Sequence, residues 1–233
     1  MADTQHVKIT ELTKSFARHI NGLADDSKFS RRKAVEAIGK ELRKQAQELS
    51  SSEYQLLFED LVKPLLKVFS DPIEKCRELT ILIVYDSIGN LEKPQQMLHF
   101  IVPLLVQRLG QQEIVEPSEE LRLELVKSLS KLIEVCGKNI TIFLNDVVQI
   151  LQQTITDPYP EVKKESCRCA SKLAKTIPES FQQQSESLIK PLCESISHQH
   201  SKVRIEVVLA IGMCLFFTFN LLADDKRAFC SLK

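Results

Sequence analysis

A basic residue recurs along the chain at Arg31, Arg77, Arg122, Lys163 and Arg204, at spacings of 46, 45, 41 and 41 residues. A fixed period of about 20–50 residues constrains a fold more than any single motif. Each period is one supersecondary unit that must bury its apolar face against the next. The recurrence extends to flanking positions: Arg31 to Gly39 and Arg204 to Gly212 share five of nine residues. Six positions before each basic residue stand Asp25, Asp71, Glu116, Asp157 and His198, with Pro72, Pro117 and Pro158 directly after three of them. Pro64 and Pro191 lie thirteen residues before Arg77 and Arg204, whereas Pro103 lies nineteen before Arg122. The larger offset places a loop insertion around Gln111-Gln112-Glu113.

Between these landmarks the apolar pattern is helical. Leu57, Leu61, Leu65 and Val68 recur at steps of four, four and three, which aligns them on one helix face. Ser50-x-x-Glu53 reads as a capping box, Pro117 and Pro160 suit first helical positions, and Asn90, Gly110 and Gly137 fall just past apolar stripes. A proline inside the first helix of a repeat costs about 3 kcal/mol in an isolated helix, so its recurrence predicts a kink that stacking accommodates. The pattern predicts an all-α chain, an α-solenoid of about five two-helix repeats over residues 7–48, 52–90, 94–136, 140–176 and 179–215. A divergent C-terminal tail over 216–233 follows. The acidic residue of each turn is expected to cap the turn or to bond a neighbouring basic anchor, making a ladder.

Glycine scarcity removes whole classes of function. The six glycines in 233 residues approach one another no closer than Gly22 and Gly39. Dinucleotide-binding, phosphate-cradling and nucleophile-elbow loops all need glycines within a few residues of each other. Lys plus Arg (31) balances Asp plus Glu (31), so no global field draws the chain to nucleic acid or an anionic membrane. An apolar fraction of 43% fits a soluble fold, and the run Met213 to Leu222, half a membrane span long, is expected to be core. Seven cysteines without a C-x-x-C suit a reducing compartment, and the N-terminus carries no secretory pattern.

The residue clusters that could carry chemistry resolve to packing. Cys167-x-Cys169 with His198-x-His200 could be drawn as a zinc site. Residues two apart on a helix face different sides, however, so the cysteines are read as packing and the histidines as turn residues. No thiol or hydroxyl stands beside an evident base, and no catalytic, cofactor-binding or metal residue is assigned. Lys164, Arg168, Lys172 and Lys175 recur at steps of four, four and three and form a basic stripe. Like charges at that spacing cost about 0.2–0.5 kcal/mol per pair, unless Glu161 and Glu165 offset them. The corresponding helix of the third repeat compensates itself through Glu120, Glu124, Lys127 and Lys131. Second helices usually line the inner surface of a solenoid, so the stripe is a candidate for partner binding through an acidic protein segment.

Proline in the first helix, Asp-Pro in the turn and Val-Arg or Val-Lys opening the second helix resemble the HEAT repeat. Four stretches carry a narrower likeness: residues 184–192, the turn Ile196-Ser197-His198-Gln199-His200, residues 165–170 and Asp25-Asp26-Ser27-Lys28. They resemble the N-terminal repeats of the dynein axonemal assembly factor family. That resemblance implies a non-enzymatic cytoplasmic scaffold for preassembly of axonemal dynein arms, needed for motile cilia. Its partners would be axonemal dynein chains, other assembly factors and chaperones, with no nucleic acid, membrane or cofactor. Members of that family continue with more repeats, whereas this sequence departs after Gly212, so it reads as a short form whose last segment carries Phe216, Phe217, Phe219 and Phe229. The repeats alone would equally suit a phosphatase regulatory subunit, a transport receptor or, less well, a nucleic-acid-binding array.

Overall fold

The computed structural model describes the backbone of residues 2–230 and the side chains of residues 11–216. Among the described residues the chain is helical, with no strand. The α-helices are α1 (Ala2–Gly22), α2 (Lys28–Glu48), α3 (Ser51–Val68), α4 (Glu74–Ile88), α5 (Leu98–Leu109), α6 (Glu119–Cys136), α7 (Leu144–Thr154), α8 (Pro160–Thr176), α9 (Pro178–Ser195) and α10 (Ser201–Cys230). Short 3₁₀ turns, Pro94–Met97 and Gly137–Phe143, lead into α5 and α7. The basic anchors Arg31, Arg77, Arg122, Lys163 and Arg204 all fall in the first turns of α2, α4, α6, α8 and α10. The fold class is that of an α-solenoid, built of helix pairs.

The chain forms two compact units, residues 1–101 and 102–233. In the first, α2 packs on α4 and α1 on α2 and α3, so second helices meet second helices and first helices meet first. Its core is apolar: Val35, Ile38, Leu57, Phe58, Leu61 and Ile81 are fully buried, and Tyr54 ties its hydroxyl to Ser87 at 2.9 Å. In the second, α8 packs between α6 and α10, and α9 lies against α7 and α10. Its core is Leu125, Leu129, Val147, Leu151, Leu173 and Leu188. Each helix pair buries its apolar faces mainly on its neighbours in sequence.

Local signals act as their chemistry dictates, with two exceptions. Ser50 and Glu53 form the reciprocal capping box at the start of α3, Pro160 opens α8, and Gly137 closes α6 with φ of 53°, a left-handed conformation glycine adopts without strain. Pro117, expected at a helix start, instead lies in the loop before α6, whose N-cap is Ser118. The insertion at Gln111-Gln112-Glu113 is an exposed loop between α5 and α6. Pro64, Pro103 and Pro191 lie inside α3, α5 and α9, each of which continues across its proline. The second exception is the run expected as core from Met213: Cys214 is buried, but Leu215 and Phe216 are exposed and Met213 is half-buried. α10 buries a narrower stripe than its composition suggests. The rest of that run, including Phe217 and Phe219, and the separate Phe229 lie outside the described side chains.

Candidate functional site

The turn within each helix pair is closed by the same device. The side chain six positions before the basic anchor accepts the backbone N–H two residues on: Asp25 from Ser27, Asp71 from Ile73, Glu116 from Ser118 and Asp157 from Tyr159, at 2.8–3.1 Å. In the fifth turn His198 Nδ1 takes the same role toward the N–H of His200, at 3.1 Å. The anchor arginine then straps the turn from the other side, Nη1 donating to the two carbonyls six and five residues earlier. Arg31, Arg77, Arg122 and Arg204 all do so.

The rest of the guanidinium reaches the next repeat. Arg31 donates to Asp71 through Nε at 2.6 Å and Nη2 at 3.2 Å, a contact that raises the Arg31 pKa. Arg122 forks onto Asp157 at 2.7 and 3.0 Å, with side chains only 7% and 5% exposed. Asp71 and Asp157 therefore each close their own turn and receive the anchor arginine of the preceding repeat. A guanidinium supplies both the strap and the fork because its donors point in fixed divergent directions. In the fourth repeat Lys163 replaces arginine, and the next turn carries His198 where the others carry an acid. Burial pushes the Lys163 pKa down, and burial together with the Lys163 charge pushes the His198 pKa down.

The basic stripe of α8 is one continuous edge. Lys164 pairs with Glu161 at 2.6 Å. Arg168 reaches across to Glu206 of α10 at 2.6 and 2.9 Å, which raises its pKa. Lys172 reaches the other way to Glu134 of α6 at 2.8 Å and holds that carboxyl below its usual range. Lys175 stands exposed at the end of the row. The like-charge cost foreseen in the sequence is therefore offset in part within α8 and in part by neighbouring helices. Sequence spacing alone could not have found Glu134 and Glu206, because each lies 38 residues from its partner.

Four buried cysteines sit where thiolate chemistry is suppressed, whereas Cys193 is exposed. Cys167 and Cys169 are fully buried on α8; burial pushes Cys167 to about 12 and Cys169 further in the same direction. Cys136 and Cys214 are pushed to about 11 by the same cause. The His198 and His200 rings lie 5.3 Å apart at the turn. Among the described residues no group of three or more His, Cys, Asp or Glu side chains is arranged to hold a metal, and no helix is long and apolar enough to cross a membrane.

Helix pairs joined by Asp/Arg contacts, with a polar edge on successive second helices, define a helical-repeat protein. Solved structures agree on the fold. Computationally designed armadillo repeat proteins for modular peptide recognition superpose with a TM-score of 0.57 at 19% identity, over 88% of this chain and 85% of theirs. An engineered protein superposes with a TM-score of 0.57 at 13% identity, over 86% and 79%.

A family profile described as dynein axonemal assembly factor 5-like, TPR repeats, matches residues 22–227. Dynein axonemal assembly factor 5 of Xenopus laevis is 47% identical over 96% of this chain, that of Mus musculus 37% over 95% and that of Homo sapiens 36% over 92%. The chain belongs to the dynein axonemal assembly factor 5 family. It spans about a quarter of the length of these curated relatives, 26%, 27% and 26% in turn. The spacing of 41–46 residues exceeds the 34 typical of TPR units and matches the HEAT and armadillo range of about 40–47.

Proposed function

We propose that the chain is a non-enzymatic cytoplasmic scaffold for the preassembly of axonemal dynein arms, acting by binding dynein chains, other assembly factors and chaperones. The observation that carries this reading is the 47% identity, over 96% of the chain, to a relative named as a dynein axonemal assembly factor. The fold supports it. Stacked helix pairs present long polar edges, and the buried thiols are held as weak nucleophiles.

The test is affinity capture of the whole chain from the cytoplasm of cells building motile cilia, with bound proteins identified by mass spectrometry. Recovery of axonemal dynein chains together with assembly chaperones is the expected result. Recovery of general chaperones alone, at the level given by a misfolded control protein, overturns the reading.

A further inference from the structure

The repeat register separates two kinds of exposed apolar residue on α10. Four positions after each anchor stand Val35, Ile81, Val126, Cys167 and Val208. The first four are buried, whereas Val208 is 54% exposed. A further stacked helix pair would cover Val208. The positions one, five, nine and twelve after the anchor are different. In α8 they are Lys164, Arg168, Lys172 and Lys175, and across the first three repeats charged residues hold nine of the twelve equivalents. In α10 the same positions are Ile205, Leu209, Met213 and Phe216. Ile205 and Leu209 are each 57% exposed and Phe216 is 58% exposed. Stacking buries none of these positions in the other repeats, where they are exposed or half-buried, so another repeat would not bury them here.

The basic edge of α8 and the apolar edge of α10 run side by side and enclose a groove of about 680 Å³. One wall carries Arg168, Lys172 and Lys175, and the other Leu209, Met213 and Phe216, with Val208 also lining it. Glu206 is the only carboxylate among the groove-lining residues and receives Arg168, Lys172 is held by Glu134 from outside the groove, and Lys175 stands exposed at the groove's edge. Gly212 lines the groove too, and a Cβ built on it meets nothing within 4 Å, so backbone can approach closely there. We propose that this groove docks a short acidic segment of a partner protein, whose leucine, isoleucine or phenylalanine side chains lie on α10 and whose carboxylates face α8. The proposal rests on the protein-binding reading above and specifies the chemistry of the partner. An apolar contact flanked by complementary charge supplies both affinity and register.

The test selects random peptides displayed on phage against the immobilised whole chain. Affinities of the enriched peptides are then measured for the wild type, Leu209→Glu, Lys175→Glu and the control Ile142→Glu. All three positions are exposed, and unchanged melting temperatures confirm that the variants fold. Enriched peptides are expected to combine Asp or Glu with large apolar residues, and to lose at least about tenfold in affinity on Leu209→Glu and on Lys175→Glu but not on Ile142→Glu. Failure to enrich, peptides without an acidic bias, or equal binding by all variants overturns the proposal. So does a self-association, seen by sedimentation, that Leu209→Glu abolishes, since the occupant would then be a second copy. Cytoplasmic capture with the same variants separates the two readings. Dynein chains recovered equally by the wild type and Leu209→Glu sink the groove alone, whereas none recovered by the wild type sinks the scaffold reading and leaves the peptide result to decide the groove.

Discussion

Four of the five turns are closed by a carboxylate and the fifth by an imidazole, which makes one turn sensitive to pH near neutrality. His198 caps the N–H of His200 through Nδ1, and only the unprotonated ring can accept there. Burial, Lys163, His200 and Arg204 all lower its pKa in the fold. An unfolded histidine titrates near 6.5, so between that value and the lower folded one the unfolded chain binds more protons. Stability from this group is therefore full above about pH 7 and is lost as pH falls through 6.5 toward the folded pKa. His198→Asp restores a carboxylate opposite Lys163 and moves that loss to below about pH 4. Urea midpoints measured from pH 5 to 8 are expected to slope for the wild type and to slope less for His198→Asp, and equal slopes would sink this account. The positions of the acid and the anchor were legible in the sequence because both recur at fixed offsets. Their double duty was not, because the strap and the fork use different nitrogens of one guanidinium, and no spacing rule distinguishes them.

At the scale of the helix, equivalent residues differ by what packs on them. Gly39 of α2 and Gly212 of α10 occupy the same repeat position, eight after their anchors. A Cβ at Gly39 would stand 2.7 Å from Ile83 Cδ1 and 2.8 Å from its Cγ1, so α2 and α4 meet there with no room for a methyl group. A Cβ at Gly212 meets nothing within 4 Å. Alanine is favoured over glycine inside a helix by about 1 kcal/mol, and overpacking a buried contact costs about 1–3 kcal/mol. Gly212→Ala is therefore expected to raise the melting temperature and Gly39→Ala to lower it. Equal effects of one sign would show that helix propensity alone governs both sites. The sequence aligned the two glycines but gave no sign of this difference, which depends on Ile83 reaching across from the next helix pair. The same blindness explains α10: its apolar run from Met213 reads as core by composition, yet Leu215 and Phe216 are exposed.

For the whole chain, the decisive property is that each helix pair is secured mainly to its neighbours, so damage should stay local. Arg122 and Asp157 form a buried forked pair that joins the start of α6 to the turn before α8. Removing one partner strands the other charge, a loss of about 3–5 kcal/mol. Asp157→Ala also leaves the Tyr159 N–H without its acceptor. In a protein stabilised by nearest-neighbour contacts, that loss should appear as weakened amide protection in α6, α7 and α8, with α2 to α4 of the other unit unchanged. Hydrogen exchange read by mass spectrometry on the wild type and Asp157→Ala tests this directly. A uniform loss of protection across both units would mean that the chain opens as one cooperative body, and the ladder would then be one contact among many. Loss confined to α6 through α8 would make the Arg122–Asp157 rung the local determinant of order there. That outcome would also explain why the fork pairs side chains that lie 35 residues apart in sequence, on successive repeats rather than within one.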